Sequence, residues 1–175
     1  LSRFFAQKNL QAFQETFSLA FRHILFLVIP FVLFLFFLRE PITSAVYRTG
    51  RFGAADVHLT AAVLGVFAFG ILFQTFIPLL ARAFFSLQDT KTPTLIGLSS
   101  FALNIILALT FLDIFRSENA FSDFILSFFG LSFTEESRVV ALPLALAIST
   151  FVQSLFLLVF LRKRMRVQIN ARQHS

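Results

Sequence analysis

The chain has 175 residues, 57% of them hydrophobic and 14% charged, with a mean hydropathy of +0.82, and a water-soluble domain of this size has too little interior to hide that much apolar surface. Fifteen Lys and Arg against nine Asp and Glu give a net charge of +6. These charges sit in short clusters between long uncharged runs, the layout of segments that cross hydrocarbon, so the basic excess is assigned to topology control and not to nucleic acid. With no Cys, disulfides, thiolate chemistry and Cys-based metal sites are excluded.

Leu1-Ser2-Arg3-Phe4-Phe5 opens without an initiator Met and lacks the layout of a signal peptide, which leads us to expect a piece of a longer product. Residues 3–21 carry Leu10, Phe13, Phe17, Ala20 and Phe21 three and four apart, predicting an amphipathic helix that leads into the membrane. A first span is expected over 22–38, where Pro30 should kink the helix by removing a hydrogen bond and crowding the preceding turn. Arg39 and Glu40 end it, and Pro41 suits the first turn of a new helix. A turn-rich connector follows, with Asp56 at the position of an N-cap.

The second span is expected over 57–81, with Gly65 and Gly70 allowing close helix approach and Pro78 kinking the far end. Gln88-Asp89-Thr90-Lys91-Thr92-Pro93 reads as a turn plus a helix start. The third span, 94–112, holds Gly97, Ser99, Ser100 and Asn104, which favour helix packing and predict an interior helix. In the connector 113–138, Phe121, Phe124, Ile125, Phe128 and Phe129 follow one helical stripe before Gly130, predicting a short helix over about 120–129 on the outer membrane surface. The fourth span, 139–161, stops at Arg162-Lys163-Arg164-Met165-Arg166, a basic cluster facing anionic lipid.

Ten of the fifteen Lys and Arg fall in 1–22, 82–91 and 162–175, and five in 39–56 and 113–138. The positive-inside rule then predicts that both chain ends are cytoplasmic and that the acidic connector with Asp113, Glu118, Asp123, Glu135 and Glu136 is outside. An enzyme is not indicated. His23, His58 and His174 lie in different segments, no carboxylate pair sits within a span, and Arg48-Thr49-Gly50-Arg51-Phe52-Gly53 lacks the spacing of a phosphate loop. Neither a metal nor a cofactor is expected, and the 28 Phe read as lipid-facing bulk and not as a stacking platform for bases.

Leu1-Ser2-Arg3, the Phe21-Arg22 pair, Pro41-Ile42 with Tyr47-Arg48-Thr49-Gly50-Arg51-Phe52 and Asp56, and above all Ala81-Arg82-Ala83-Phe84-Phe85-Ser86-Leu87-Gln88-Asp89-Thr90-Lys91-Thr92-Pro93 resemble segments of the MurJ (MviN) family of lipid II flippases. The stretch from Ala141 to Arg162 is similar to a later helix of that family, with Ala141 and Leu146 standing where the family has Gly and Thr, and the 113–138 connector is longer than usual. The resemblance implies an all-α polytopic membrane protein whose four spans are helices nine to twelve, in the C-terminal lobe of a fourteen-helix flippase in the bacterial cytoplasmic membrane. It further implies transport of the lipid-linked peptidoglycan precursor by alternating access. The partners implied are that precursor, membrane lipids and the remaining helices of the full protein. Another lipid-linked oligosaccharide or drug exporter of the same superfamily, or a non-transporting membrane scaffold, are the alternatives.

The candidate site residues follow. Arg22 either meets phosphate or snorkels to the inner interface, and the second is favoured. Arg82 and Lys91 flank Asp89, either as a cytoplasmic gate of breakable ion pairs or as a static cap with exposed pairs. Asn104 sits within a span, where an amide is usually satisfied by a neighbouring helix. The resemblance implies a sodium role for this position in some relatives, with an Asp one turn later; here that residue is Ala108, so helix-to-helix bonding is favoured, as it is for Gln74 and Gln153. The remaining family-motif positions are Arg48, Gly50, Phe52, Asp56, Gln88, Thr90, Thr92 and Pro93.

Overall fold

The computed structural model describes residues 10–47, 53–117, 119–132, 134 and 136–173, with side chains placed between Ala12 and Met165. The expected lead-in helix upstream of Leu10, the motif positions Arg48, Gly50 and Phe52, and His174 lie outside the described residues. Within them the chain is helical, with no strand. Helix α1 is Leu10–Phe37, α2 Arg39–Tyr47, α3 Ala54–Gln74, α4 Phe76–Ser86, α5 Lys91–Ile114, α6 Ala120–Phe128 and α7 Ala141–Gln173, with a 3-10 turn at Glu136–Val140 before α7.

Four helical stretches among the described residues are long and apolar enough to cross a membrane: Ala12–Phe37, Ala54–Ser86, Lys91–Ile114 and Glu136–Met165. Their length follows from uncharged runs of good helix formers, each about 1.5 Å per residue along the axis. Helix α1 passes through Pro30 without a break. The interruption of the second crossing falls instead at Thr75, between α3 and α4. Pro78 explains it: having no N–H, it leaves the Gln74 carbonyl without its normal donor. At the break Thr75 stays tied to the end of α3, its N–H and hydroxyl both donating to the Ile71 carbonyl at 3.0 and 2.7 Å.

Asp56 was expected at an N-cap and is found three residues inside that position. Helix α3 starts after Gly53, and the Asp56 carboxylate reaches back to accept the Gly53 N–H at 2.9 Å. This is the return half of a capping box, which an acidic group at N3 can supply whatever the cap residue.

Helix α7 is the pillar against which α3, α4 and α5 pack, while α1 rests on α3 and α4, and α2 on α3. Gly70 permits the closest approach of α3, since a Cβ there would stand 3.5 Å from the Ala147 Cα. One apolar cluster joins Ala62, Val66, Phe111, Phe115, Leu126, Phe129, Val140 and Ala145. A second, at the other end of α7, joins Phe13, Phe76, Leu80, Phe84, Leu157 and Leu161. Between them α7 buries Ser149, Thr150 and Ser154, and α5 buries Ser100. On the α5–α7 side the bundle therefore has two apolar ends and a polar waist, while between α1 and α3 the buried Val28, Val32 and Ala68 keep the middle apolar.

Helix α5 was expected in the interior. Here it lays Ser100 and Asn104 against α7 and leaves Leu95, Leu98, Phe101, Ile106 and Leu109 exposed on the other side. Its small and polar residues occupy only one stripe, so only that stripe is packed. Helix α6 divides the expected Phe stripe: Leu126 and the following Phe129 are buried, whereas Phe124 and Phe128 are exposed. Gly130, at φ +74, ends it with the Leu131 N–H bonded to the Leu126 carbonyl and the Gly130 N–H to Ser127, the Schellman pattern that glycine adopts without a steric cost.

Candidate functional site

The turn between α4 and α5 is built by the same Schellman pattern, with Gln88 in the glycine position at φ +58. The Asp89 N–H bonds to the Phe84 carbonyl and the Gln88 N–H to Phe85, both at 3.0 Å. A left-handed residue other than glycine costs about 1 kcal/mol, and its effect is to turn the chain so that Asp89 lies at the start of α5. There Asp89 Oδ1 accepts the Thr92 N–H at 3.0 Å and Oδ2 accepts the Thr92 hydroxyl at 2.8 Å. Pro93, buried at the third residue of α5, needs no donor partner in that first turn.

The ion pair anticipated between Asp89 and its neighbours Arg82 and Lys91 forms instead with Arg164 on α7, whose Nε and Nη2 donate to Oδ2 at 3.3 and 3.2 Å. Arg82 and Lys91 point to the exposed surface, and among the described residues neither has a hydrogen-bond or ion-pair partner. The reason is tertiary. Helix α4 turns Arg82 away from the loop, while α7 is long enough to carry Arg164 past the bilayer core to the level of the turn. Asp89 is only 8% exposed against 59% for Arg164. Its carboxyl is held below the ordinary value of 3.8, chiefly by the Thr92 N–H, with burial opposing and the Thr92 hydroxyl and Arg164 adding to the shift.

A second polar site is the waist. A cleft of about 380 Å³ between the α3–α4 break, α5 and α7 is lined by Gln74, Ser100, Asn104, Ser149, Thr150 and Gln153 among others, and none of its lining residues is charged. Asn104 Nδ2 donates to Ser149 Oγ at 3.2 Å, Ser149 Oγ passes a bond to the Leu146 carbonyl at 3.0 Å, and Ser100 Oγ donates to the Ser149 carbonyl at 3.1 Å. Such bonds between membrane helices are worth roughly 0.6 kcal/mol each. A neutral cleft of amides and hydroxyls holds water or hydroxylated groups by hydrogen bonding and offers an anion no counter-charge.

At the opposite end of the bundle sits Arg39, which sequence reasoning treated only as the end of a span. Its guanidinium lies 4.7 Å from the Phe36 ring centre and 5.2 Å from that of Phe129, and Nη2 donates to the Phe129 carbonyl at 3.3 Å. Nη1 is buried and has no hydrogen-bond partner among the described residues. Gly65 makes room for it, because a Cβ there would stand 3.1 Å from the Arg39 Cδ and Nη1 and 3.0 Å from Phe129. Nearby, His58 Nδ1 approaches Glu40 at 3.5 Å, joining α3 to α2. Arg22 is exposed on α1 and without a partner among the described residues.

Arg164, Ser149 and Thr150, as well as Arg39, are site residues that sequence reasoning missed. The charge count offered a signal for the first, since it put the Gln88-Asp89 turn and the basic end of α7 on the same side. Ser149 carried none, because which face of an apolar helix meets a neighbour is not written in its own period.

A family model described as lipid II flippase MurJ matches residues 1–173. The chain is similar to a probable lipid II flippase MurJ of Bdellovibrio bacteriovorus, 36% identical over 105 residues that cover 59% of this chain and 20% of that protein. It is similar to the lipid II flippase MurJ of Thermosipho africanus, 31% identical over 96 residues, 53% of this chain and 20% of that protein. It is similar also to a probable lipid II flippase MurJ of Treponema pallidum, 26% identical over 164 residues, 93% of this chain and 27% of that protein. The match thus spans between a fifth and about a quarter of the length of these relatives. No solved structure matches.

Proposed function

We infer function from one fact, that this chain belongs to the lipid II flippase MurJ family: it contributes four membrane-crossing helices to a transporter, not an enzyme, that moves the lipid-linked peptidoglycan precursor from the inner to the outer leaflet of the bacterial cytoplasmic membrane. The full protein works by alternating access between two lobes, and this segment belongs to the C-terminal one, with both of its ends on the cytoplasmic side. Moving a pyrophosphate and sugar head group through hydrocarbon calls for a water-filled, cationic path. The waist described above is polar but neutral, so its part is to hold α5 on α7 and to line water, while the cations that meet phosphate come from helices elsewhere in the protein.

Within that reading, the structural feature suited to gating is the lock at the α4–α5 turn. Asp89 caps α5 and at the same time grips Arg164, which ties the second, third and fourth crossings together at one membrane face. Arg164 is more than half exposed, so water can replace Asp89 on its guanidinium, which suits the pair to break and re-form as the lobe tilts. Asn104 serves as a helix-to-helix bond and Arg22 as an interfacial anchor.

Complementation of a flippase-depleted strain with the full-length gene tests this. Asp89→Asn keeps an acceptor for the Thr92 N–H and removes the charge, whereas Asp89→Ala removes both. If the pair is a gate, Asp89→Asn and Arg164→Gln each reduce growth, and the double variant is no worse than either single one. If Asp89→Asn grows like wild type while Asp89→Ala does not, Asp89 is a static cap and the gate is ruled out.

A further inference from the structure

Along the contact between α5 and α7 runs a groove that shares Thr92 and Arg164 with the Asp89 lock and Ser100 and Gln153 with the waist. At one end a cavity of about 280 Å³ is lined by Thr92, Phe160, Lys163 and Arg164. A second of the same size, mostly apolar, continues from it, lined by Ile96, Ser99 and Leu103 of α5 and Val152, Phe156 and Phe160 of α7 among others. Phe160 borders both, so the two lie end to end along one trough on the α5–α7 contact, with cationic side chains at one end, the mouth.

The spacing along each wall is that of a single helix face. Thr92, Ile96, Ser99 and Leu103 step by four, three and four residues, as Val152, Phe156, Phe160 and Lys163 step by four, four and three. Eleven residues at 1.5 Å each give about 16 Å, which is the hydrocarbon depth of a single leaflet, half of roughly 30 Å. Ser99 and the half-exposed Phe156 and Phe160 leave the trough open on the outside of the bundle.

At the mouth, Asp89 neutralises Arg164 by accepting both of its described bonds. Lys163 is exposed and has no partner among the described residues, with Arg162 beside it. The mouth therefore keeps an unneutralised cation where a headgroup phosphate would sit. We propose that this trough seats one anionic glycerophospholipid, its phosphodiester on Lys163 and an acyl chain between α5 and α7. A zwitterionic lipid would bring its own ammonium group towards Lys163 and is disfavoured. The proposal does not depend on the transport reading.

The test is native mass spectrometry of the full-length protein after exposure to phosphatidylglycerol or phosphatidylcholine in mixed micelles. Wild type should retain one phosphatidylglycerol in about fivefold preference, the ratio one Lys near an anionic headgroup carries. Lys163→Gln should bring the ratio near one and Lys163→Arg should restore it. Ser99→Phe, at an exposed position, should lower retention of both lipids by filling the trough. Equal retention of the two lipids by wild type, or an unchanged ratio in Lys163→Gln, overturns the proposal. So does competition by soluble glycerol phosphate as strong as that by the lipid, or retention of undecaprenyl phosphate in place of phosphatidylglycerol.

Discussion

Asp89 shows how much one side chain organises. It accepts two bonds from Thr92 and two from Arg164, and these hold its folded-state pKa below the ordinary value of 3.8. Because the folded value is the lower one, the stabilisation is complete above 3.8 and disappears as the pH falls through the folded pKa. Thermal unfolding of the detergent-purified full-length protein should therefore show a gap between wild type and Asp89→Asn that is constant from pH 7 to about 4. The gap should close at lower pH, and one that persists unchanged to pH 2 would mean that the carboxylate charge contributes nothing. Arg39 makes the contrasting case: it is held by two aromatic rings and a carbonyl, with no ion pair among the described residues, and a Cβ at position 65 would crowd it at 3.1 Å.

The elements divide the membrane-crossing work unequally. Helix α7 buries residues along its whole crossing, while α1 and α5 each bury little and present Phe26, Leu27, Phe37, Leu98 and Phe101 outward. In lipid such exposure carries no hydrophobic penalty, so packing is settled by close fit and by polar contacts. The α3–α7 crossing at Gly70 tests that view. Gly70→Ala should be tolerated, its Cβ resting 3.5 Å from the Ala147 Cα, whereas Gly70→Leu should drive the helices apart at a cost of about 1–3 kcal/mol. The measurement is the thermal midpoint in detergent, and equal midpoints for the two variants would contradict the packing described. The break at Thr75 matters for the same reason, because it brings Gln74 and Pro78 to the wall of the waist.

At the scale of the molecule, the four crossings form a partial bundle with lipid-like surface on most sides, in keeping with a match that spans about a fifth to a quarter of its relatives. Alternating crossings place the α4–α5 turn and the end of α7 on one face, and α2, α6 and the 3-10 turn on the other. We expect a reporter fused after Thr90 in the full-length protein to read as cytoplasmic and one fused after Ser132 to read as external. The opposite pair of results would invert the proposed orientation and with it the sidedness of the Asp89 lock.

The sequence alone determined the fold class, since uncharged runs long enough to span hydrocarbon admit only helices, and it determined the family through the segment from Ala81 to Pro93. It also marked Asp89 and Asn104 as polar groups that need partners. Which partners they take was decided by tertiary structure. Arg164 lies 75 residues from Asp89 and Ser149 lies 45 from Asn104, and only the packing of α7 against α4 and α5 brings them within hydrogen-bond reach. Local periodicity states that a face exists. It carries no information about which distant face comes to meet it, because that depends on how two surfaces fit once the helices are side by side.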